Sequence, residues 1–262
     1  MKTYIMCSGG KDSVATCILA KEHNIQVDAV VFSEFMFSIK DNIPAEHPIQ
    51  YEWKYKVLIP RLKEMGFDVV IVNPNTDYIT LFNRSISKLA KHKDRVGKKQ
   101  GFVIGNLCYI KRDLKVKPIN EWIKKQGKFQ RIVGYTYDEI KRIEIMKKEG
   151  WRSLLYEYKI TEKDAYNLSK SYGLLSPIYQ NQLRDGCWFC PNASIKEFAR
   201  LKKDYPNYWS RLKELSLTEN LVSNKFKYDI TFAQLEKQIM EINNQVTIFD
   251  LLEDKGVNEN ER

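Results

Sequence analysis

The sequence predicts an α/β protein: a doubly wound, mostly parallel sheet followed by a helical C-terminal portion. Three observations carry this. Short apolar runs of strand length alternate with helical patterns through the first 150 residues, the order that βαβ units require. The first run passes through Ser8-Gly9-Gly10-Lys11-Asp12-Ser13 directly into a helical pattern. Beyond about residue 150 helical patterns dominate.

Residues 3–7 read as the first strand and 12–22 as the first helix, with Val14, Cys17, Ile18, Leu19 and Ala20 supplying the apolar spacing. Residues 26–32 read as the second strand. A helix near 51–65 ends at Gly66, and 68–72 makes a third strand that Asn73-Pro74 stops. A basic, partly helical stretch covers 78–100. Residues 113–126 read as helix despite Pro118, ended by Gly127, and 131–134 as a short buried strand. Further helices are predicted at 161–172, 194–204, 206–216 and 232–243, and the polar tail 253–262 is expected to fray. This divides the chain into an α/β domain over 1–150 and a helical region over 151–262. There is no internal repeat.

The segment Ser8–Ser13 points to phosphate. Gly9 and Gly10 let the backbone turn tightly and bring bare N–H groups towards an anion. The helix N-terminus adds partial positive charge at the same place. Ser8 and Ser13 can donate hydroxyl hydrogen bonds, Lys11 supplies a point charge, and Asp12 can hold Mg2+ among phosphate oxygens. The spacing is not that of a Walker loop, which needs four residues between its first glycine and Gly-Lys-Ser/Thr. In a parallel sheet a ligand sits beyond the carboxyl ends of the strands. Here those ends are Ser8–Ser13, Ser33-Glu34 and Gly134 onward.

With 262 residues the chain can hold one large domain or a domain with an appendix. No run of about 18 apolar residues occurs, so no membrane span is expected. The N-terminus lacks the basic and apolar regions of a signal peptide, which predicts a cytoplasmic protein. The formal charge is +10. Basic residues concentrate between 84 and 131, including Lys88, Lys91, Lys93, Arg95, Lys98, Lys99, Lys111, Arg112, Lys115, Lys117, Lys124, Lys125, Lys128 and Arg131. A polyanion such as tRNA or DNA could dock there; a solvated lysine-rich surface is the other reading.

Five cysteines, at 7, 17, 108, 187 and 190, argue against a disulfide framework. Cys7 and Cys17 fit as small buried apolar residues. Cys187-Trp-Phe-Cys190-Pro191 can grip a metal or cluster, or cycle as a redox pair. It lies late in a helical region, which is the wrong place for a thioredoxin motif. No second CxxC or His pair completes a zinc signature, and His23, His47 and His92 have no ligand spacing.

The loop Ser8–Ser13 resembles the SGGxDS PP-loop of N-type ATP pyrophosphatases. Three further motifs extend that likeness to the phosphoadenosine-phosphosulfate (PAPS) reductase-like family of the same superfamily, the adenine nucleotide alpha hydrolases. Cys108 through Lys115-Val-Lys117-Pro118 resembles its C-x5-LKxxP segment. Gly134 through Glu139 and Arg142 resembles its strand-end motif of a glycine, a Glu and an Arg. Thr161-Glu162 through Tyr179, then Gly186-Cys187-Trp-Phe-Cys190-Pro191, resembles the ITE…Y…GCxxCP tail of members common in phages and mobile elements. The likeness runs from residue 1 to about 215.

The resemblance implies a Rossmann-like PP-loop fold and an ATP pyrophosphatase that adenylates an acceptor, releasing AMP and pyrophosphate. Lys11 and Asp12 would be catalytic, with Mg2+ on Asp12. Ser8, Gly9, Gly10, Lys11, Asp12, Ser13, Phe32, Ser33, Gly134, Glu139 and Arg142 would bind the nucleotide. Cys108, Cys187 and Cys190 would ligate a [4Fe–4S] cluster, as in iron–sulfur members. Adenylylsulfate reductases carry two adjacent cysteines at the first position, whereas Leu107-Cys108 offers one. Three thiolates leave one iron open, resembling tRNA 2-thiolation enzymes, and this suits sulfur transfer onto a nucleic acid from a sulfur donor. Zinc with one non-cysteine ligand, or thiols without metal, are the alternatives. A sulfonucleotide reductase is the enzymatic alternative, but the chain has no cysteine after 190 to serve as that family's C-terminal nucleophile. A non-catalytic nucleotide-sensing module of a phage or defence system is the other. Thr136 stands where the family often has arginine. A homodimer is compatible with all of these readings.

Overall fold

The computed structural model describes residues 1–104, 108–180 and 184–242. The polar tail 253–262, the end of the helix expected over 232–243, and Leu107 lie outside the described residues. Two compact units form: Met1–Ile79 with Tyr109–Trp188, and Thr80–Cys108 with Phe189–Arg262. The units therefore divide the chain at different places from a cut at residue 150.

The first unit begins with β1 (Lys2–Met6), α1 (Lys11–Glu22), β2 (Ala29–Ser33), β3 (Met36–Ser38) and β4 (Ile43–Pro44). α2 (Pro48–Trp53) continues through a π-helical segment (Lys54–Leu58) into α3 (Ile59–Glu64), and β5 (Val69–Val72) follows. After α4 (Tyr78–Asn83), a second π-helical segment (Lys111–Val116) leads into α5 (Lys117–Lys124). Then come β6 (Phe129–Ile132), α6 (Ile140–Lys148), α7 (Leu154–Glu157), α8 (Glu162–Ser171) and α9 (Pro177–Gln180). The sheet has the order β5-β2-β1-β6, and all three pairings are parallel.

Both faces of the sheet are covered, which is why its strands read as continuous apolar runs rather than as alternation. Ile5, Val30 and Phe32 pack with α1, α3, α7 and α8 on one face. Tyr4, Ala29 and Val31 pack with Trp122 and Ile123 of α5 on the other. Tyr4 and Trp122 meet edge to face at 5.1 Å. Cys7 and Cys17 are buried apolar residues of the first core, as expected. Strand β2 starts later than its apolar run because Asp28 turns back to accept the Thr3 N–H at 2.7 Å.

The order of the strands fixes where a ligand can lie. From β1 the chain moves outward through β2 to β5, then returns to place β6 on the other side of β1. The crevice between the carboxyl ends of β1 and β6 is the switch point where open α/β sheets bind ligands.

The second unit is built on aromatic packing. Phe82, Phe102, Phe198, Trp209, Phe226 and Phe232 form a chain of ring contacts 4.8–6.4 Å apart. They come from α4, the loop after it, α10 (Ile195–Asp204), α11 (Pro206–Ser216), a hairpin of β7 (Lys225–Lys227) and β8 (Ile230–Thr231), and a helix starting at 232.

Arg131 requires a correction. Counted above with the basic surface, it is only 8% exposed. It lies on β6, where it donates to Asn120 at 2.8 Å and stacks on Trp151 at 4.7 Å. It is not available to a polyanion. No helix among the described residues is long and apolar enough to cross a membrane.

Candidate phosphate-binding site

The Ser8–Ser13 loop leaves β1 at the switch point. Gly9 has φ +80°, a conformation open to glycine at little cost. The Ser13 hydroxyl donates to the Gly10 carbonyl at 2.9 Å and accepts the Ser8 N–H at 3.2 Å. The Gly10 N–H donates to the Ser8 hydroxyl at 3.3 Å. Gly10 is the N-cap of α1 and makes no side-chain cap, so apart from the Lys11 N–H, which Tyr179 takes, the helix start stays open to an external acceptor. Gly134, just past β6, closes the other side. A Cβ there would lie 2.9 Å from the Ser13 nitrogen and 3.0 Å from the Asp12 carbonyl. Gly134→Ala is therefore expected to push the helix start aside, costing about 1–3 kcal/mol of stability. It should also weaken pyrophosphate binding, which titration calorimetry would read.

Charges converge on this loop. Lys11 Nζ bonds Glu162 at 2.7 Å and Asp12 at 3.2 Å. Burial works against its charge, but the Glu162 bond and Asp12 outweigh that and hold the ammonium above its ordinary range. The Lys11 N–H donates to the Tyr179 hydroxyl at 3.0 Å, and burial raises that phenol far above its usual range. Asp12 keeps one oxygen on Lys11, while its Oδ1 is buried without a hydrogen-bond partner. An orphaned carboxylate oxygen beside an anion cradle fits a divalent cation. Burial also raises the Asp12 pKa, against the pull of Lys11. A raised carboxyl keeps its proton to higher pH. Mg2+-dependent nucleotide binding should therefore fall with acidification sooner than for an ordinary Asp. Titrating affinity against pH in wild type and Asp12→Asn checks this; the variant should lose the step.

Asp185 also reaches the loop. A Cβ on Gly10 would lie 2.2 Å from its Oδ2. A phosphate entering over Gly10 must displace that carboxylate or share a cation with it.

Ser33 sits at the end of β2 and donates to the Leu114 carbonyl at 3.1 Å. The Phe32 ring is 1% exposed and belongs to the core, so only its backbone faces the strand end. Glu139 accepts the Thr136 N–H at 3.2 Å and the Arg142 guanidinium at 2.9 Å. Arg142 also stacks over Tyr135 at 5.0 Å and stays 52% exposed, so its free face can meet an anion. The charge of Glu139 is felt at Asp12. Thr136 is fully buried.

The three remaining cysteines are divided between the units, Cys187 in the first and Cys108 and Cys190 in the second. Cys187 pairs across a bridge with Glu46, and the Trp188 indole donates to the Pro44 carbonyl at 2.9 Å. Around Cys190, the Ala193 N–H donates to its carbonyl at 3.0 Å, and Lys227 Nζ donates to the Pro191 carbonyl at 2.8 Å. Among the described residues no three His, Cys, Asp or Glu side chains gather to hold a metal.

Among the solved structures that resemble the chain are two enzymes. One is a phosphoadenylyl-sulfate (PAPS) reductase from Candida auris in complex with phosphate, 11% identical, TM-score 0.47, covering 72% of this chain and 83% of that one. The other is a U34-tRNA thiolase from Methanococcus maripaludis with its [4Fe–4S] cluster, 14% identical, TM-score 0.42, covering 91% and 80%. No family model and no curated protein matches the chain.

Sequence reasoning missed several groups at the site. Glu162 and Tyr179 lie within the Thr161…Tyr179 motif, yet nothing in that motif told that both would close on Lys11. Gln50, Ser176, Asp185 and the buried Lys54 carried no signal. Each is an isolated polar residue whose role exists only once the chain is folded.

Proposed function

We propose that this chain is an ATP-dependent adenylating enzyme that binds the pyrophosphate of ATP on Ser8–Ser13 and transfers AMP to an acceptor. One observation carries the reading. At the β1/β6 switch point a glycine loop and an open helix start are joined by Lys11 and by Asp12 with its unpartnered oxygen. Lys11, and Mg2+ held by Asp12, would offset charge developing on the leaving pyrophosphate. Arg142, oriented by Glu139, would hold a further phosphate oxygen, and the ends of β2 at Phe32 and Ser33 would flank the adenine or ribose. The loop alone, with its residues already in place, argues against a Walker-type cleavage of the γ-phosphate. Product analysis decides between AMP with pyrophosphate and ADP with orthophosphate.

The acceptor in this reading is a nucleic acid, and the reaction is coupled to sulfur transfer. Cys108, Cys187 and Cys190 are the thiols assigned to sulfur or metal on their sequence context; no step is routed through a cluster. Anaerobic purification followed by iron and acid-labile sulfide analysis tests that assignment. The exposed lysines of the basic stretch support the nucleic-acid reading. Binding to tRNA or DNA should weaken steeply with salt, by about 0.7–0.9 log units per log unit of salt for each phosphate contact. Replacing Lys98, Lys99, Lys124 and Lys125 by Ala should flatten that slope and leave ATP affinity unchanged. Filter binding across a salt series measures both.

A further inference from the structure

A glycine pair gives the phosphate loop its turn, and within the loop only the Ser8 hydroxyl, 3.3 Å from the Gly10 N–H, holds the peptide between the two glycines. The Gly9–Gly10 peptide matters most. In a trans peptide the carbonyl and the following N–H point in opposite directions. Whichever way the Gly9 carbonyl faces, the Gly10 N–H faces the other way. With glycine on both sides, the two dihedrals that flip this peptide meet no Cβ resistance. A flipped peptide would present a carbonyl oxygen to the anion and turn the donor away.

The structure holds this peptide from outside the loop. Gln50 of α2 donates its Nε2 to the Gly9 carbonyl at 3.0 Å. It is 0% exposed, and a Cβ on Gly9 would lie only 2.7 Å from that nitrogen. The amide cannot simply turn over, because the Gly9 carbonyl only accepts and a reversed amide would set Oε1 against it. At the other end Gln50 Oε1 accepts the Ser176 hydroxyl, whose oxygen in turn accepts the Ile178 N–H at 3.3 Å. Ser176 is 1% exposed. The polarity therefore runs one way, from the Ile178 N–H through Ser176 and Gln50 to the Gly9 carbonyl. With that carbonyl held on Gln50, the Gly10 N–H is left pointing to the other side, where it meets Ser8.

We propose that Gln50 is a positioning residue of the phosphate site: with Ser176 behind it, it sets the Gly9–Gly10 peptide so that the loop offers an N–H rather than a carbonyl to the pyrophosphate group. The proposal rests on the phosphate-loop reading above and adds the residue that sets the loop's affinity.

The test uses the full-length chain and two probes, inorganic pyrophosphate with Mg2+ and ATP with Mg2+, titrated by calorimetry. Wild type, Gln50→Leu, Gln50→Glu and Ser176→Ala are compared at a temperature where circular dichroism shows each folded. Gln50→Leu removes the donor. Gln50→Glu keeps the partner of Ser176 but sets a carboxylate against the Gly9 carbonyl. Both should weaken pyrophosphate and ATP by about tenfold or more, the worth of a lost buried hydrogen bond and a freed peptide. Ser176→Ala should have a smaller effect, and Gln50→Leu with Ser176→Ala should be no weaker than Gln50→Leu alone, because the serine acts only through the amide. A merely structural role would lower the melting temperature and leave these affinities at the wild-type value. Wild-type affinity in folded Gln50→Leu overturns the proposal. Should that variant not fold, unchanged affinity in Gln50→Glu and Ser176→Ala overturns it equally. Failure of the wild type to bind either probe would instead remove the phosphate-loop reading itself.

Discussion

Replacing Glu46 by alanine is expected to lower stability by about 3–5 kcal/mol, the cost of breaking a buried ion pair by deleting one partner. Lys54 is the first residue of the π-helical segment after α2, and it is 2% exposed. Its ammonium pairs with Glu46 and lies over the rings of Tyr51 and Tyr55 at 5.3 and 5.2 Å. Tyr55 in turn donates to Glu34, which follows β2. Burial pushes the Glu34 carboxyl up, the charge of Lys54 pulls it down, and Glu46 pushes it up again. The cluster thus holds one buried cation between two carboxylates. Without Glu46 the ammonium loses its direct partner and cannot regain water. Lys54→Met should also destabilise, by leaving Glu34 and Glu46 facing each other. Lys54→Met combined with Glu46→Leu should recover part of the loss, since an apolar pair carries no desolvation cost. Urea unfolding measures all three. A fall of less than about 0.5 kcal/mol for Glu46→Ala, the range of an ordinary surface change, would show that water reaches Lys54.

The largest effect on activity is expected at Asp12. Asp12→Ala should reduce AMP formation by about 10²–10³-fold or more, the scale on which a single preorganised charge-stabilising group acts. The fold should survive, because Asp12 lies in the first turn of α1 and keeps 26% of its side chain exposed. Lys11→Met should come close to the same loss. It should also free Glu162, whose only ion pair among the described residues is with Lys11. The two variants separate by metal. Added Mg2+ should partly restore neither turnover nor ATP binding in Asp12→Ala, whereas Lys11→Met should keep a Mg2+ dependence. Wild-type turnover in a folded Asp12→Ala protein would move the metal elsewhere.

Much of the fold was legible because local physics decided it. The β1 run, the glycines and the α1 pattern, whose residues 13–20 are all buried, agree with one another, and so does the alternation that leads to a parallel sheet. What eluded the sequence is instructive. The stretch 78–100 is partly helical as expected, at Tyr78–Asn83 and a short 3-10 turn at Lys93–Arg95, but the bounds of those pieces could not be read. Its basic residues satisfy helix propensity without supplying an apolar face to bury. The two hairpins have strands of two or three residues, too short for any period to show. Helix α6 was missed because Ile140 and Ile145 are exposed and blur its apolar stripe. Arg131 read as surface charge because nothing in sequence places Asn120 and Trp151 against it.

The site divides in the same way. Ser8–Ser13 and Gly134 could be found because the chemistry sits in contiguous residues or in a glycine at a strand end, and the structure brings them together. The pair Glu139 and Arg142 lies three residues apart and forms its ion pair on one helical turn. Gln50, Tyr179 and Asp185 reach their loop partners from 41 to 175 residues away in sequence, Ser176 acts through Gln50, and only the packing of α2 and the segment around α9 delivers them.

The central claim is that this loop directs cleavage between the α and β phosphates of ATP. It is tested most directly by incubating the anaerobically purified protein with ATP labelled at the α-phosphate, Mg2+, a sulfide source and pooled tRNA and DNA, then separating the products. The account predicts AMP and pyrophosphate in equal amounts, formed by the wild type and not by Asp12→Ala. ADP with orthophosphate would contradict it.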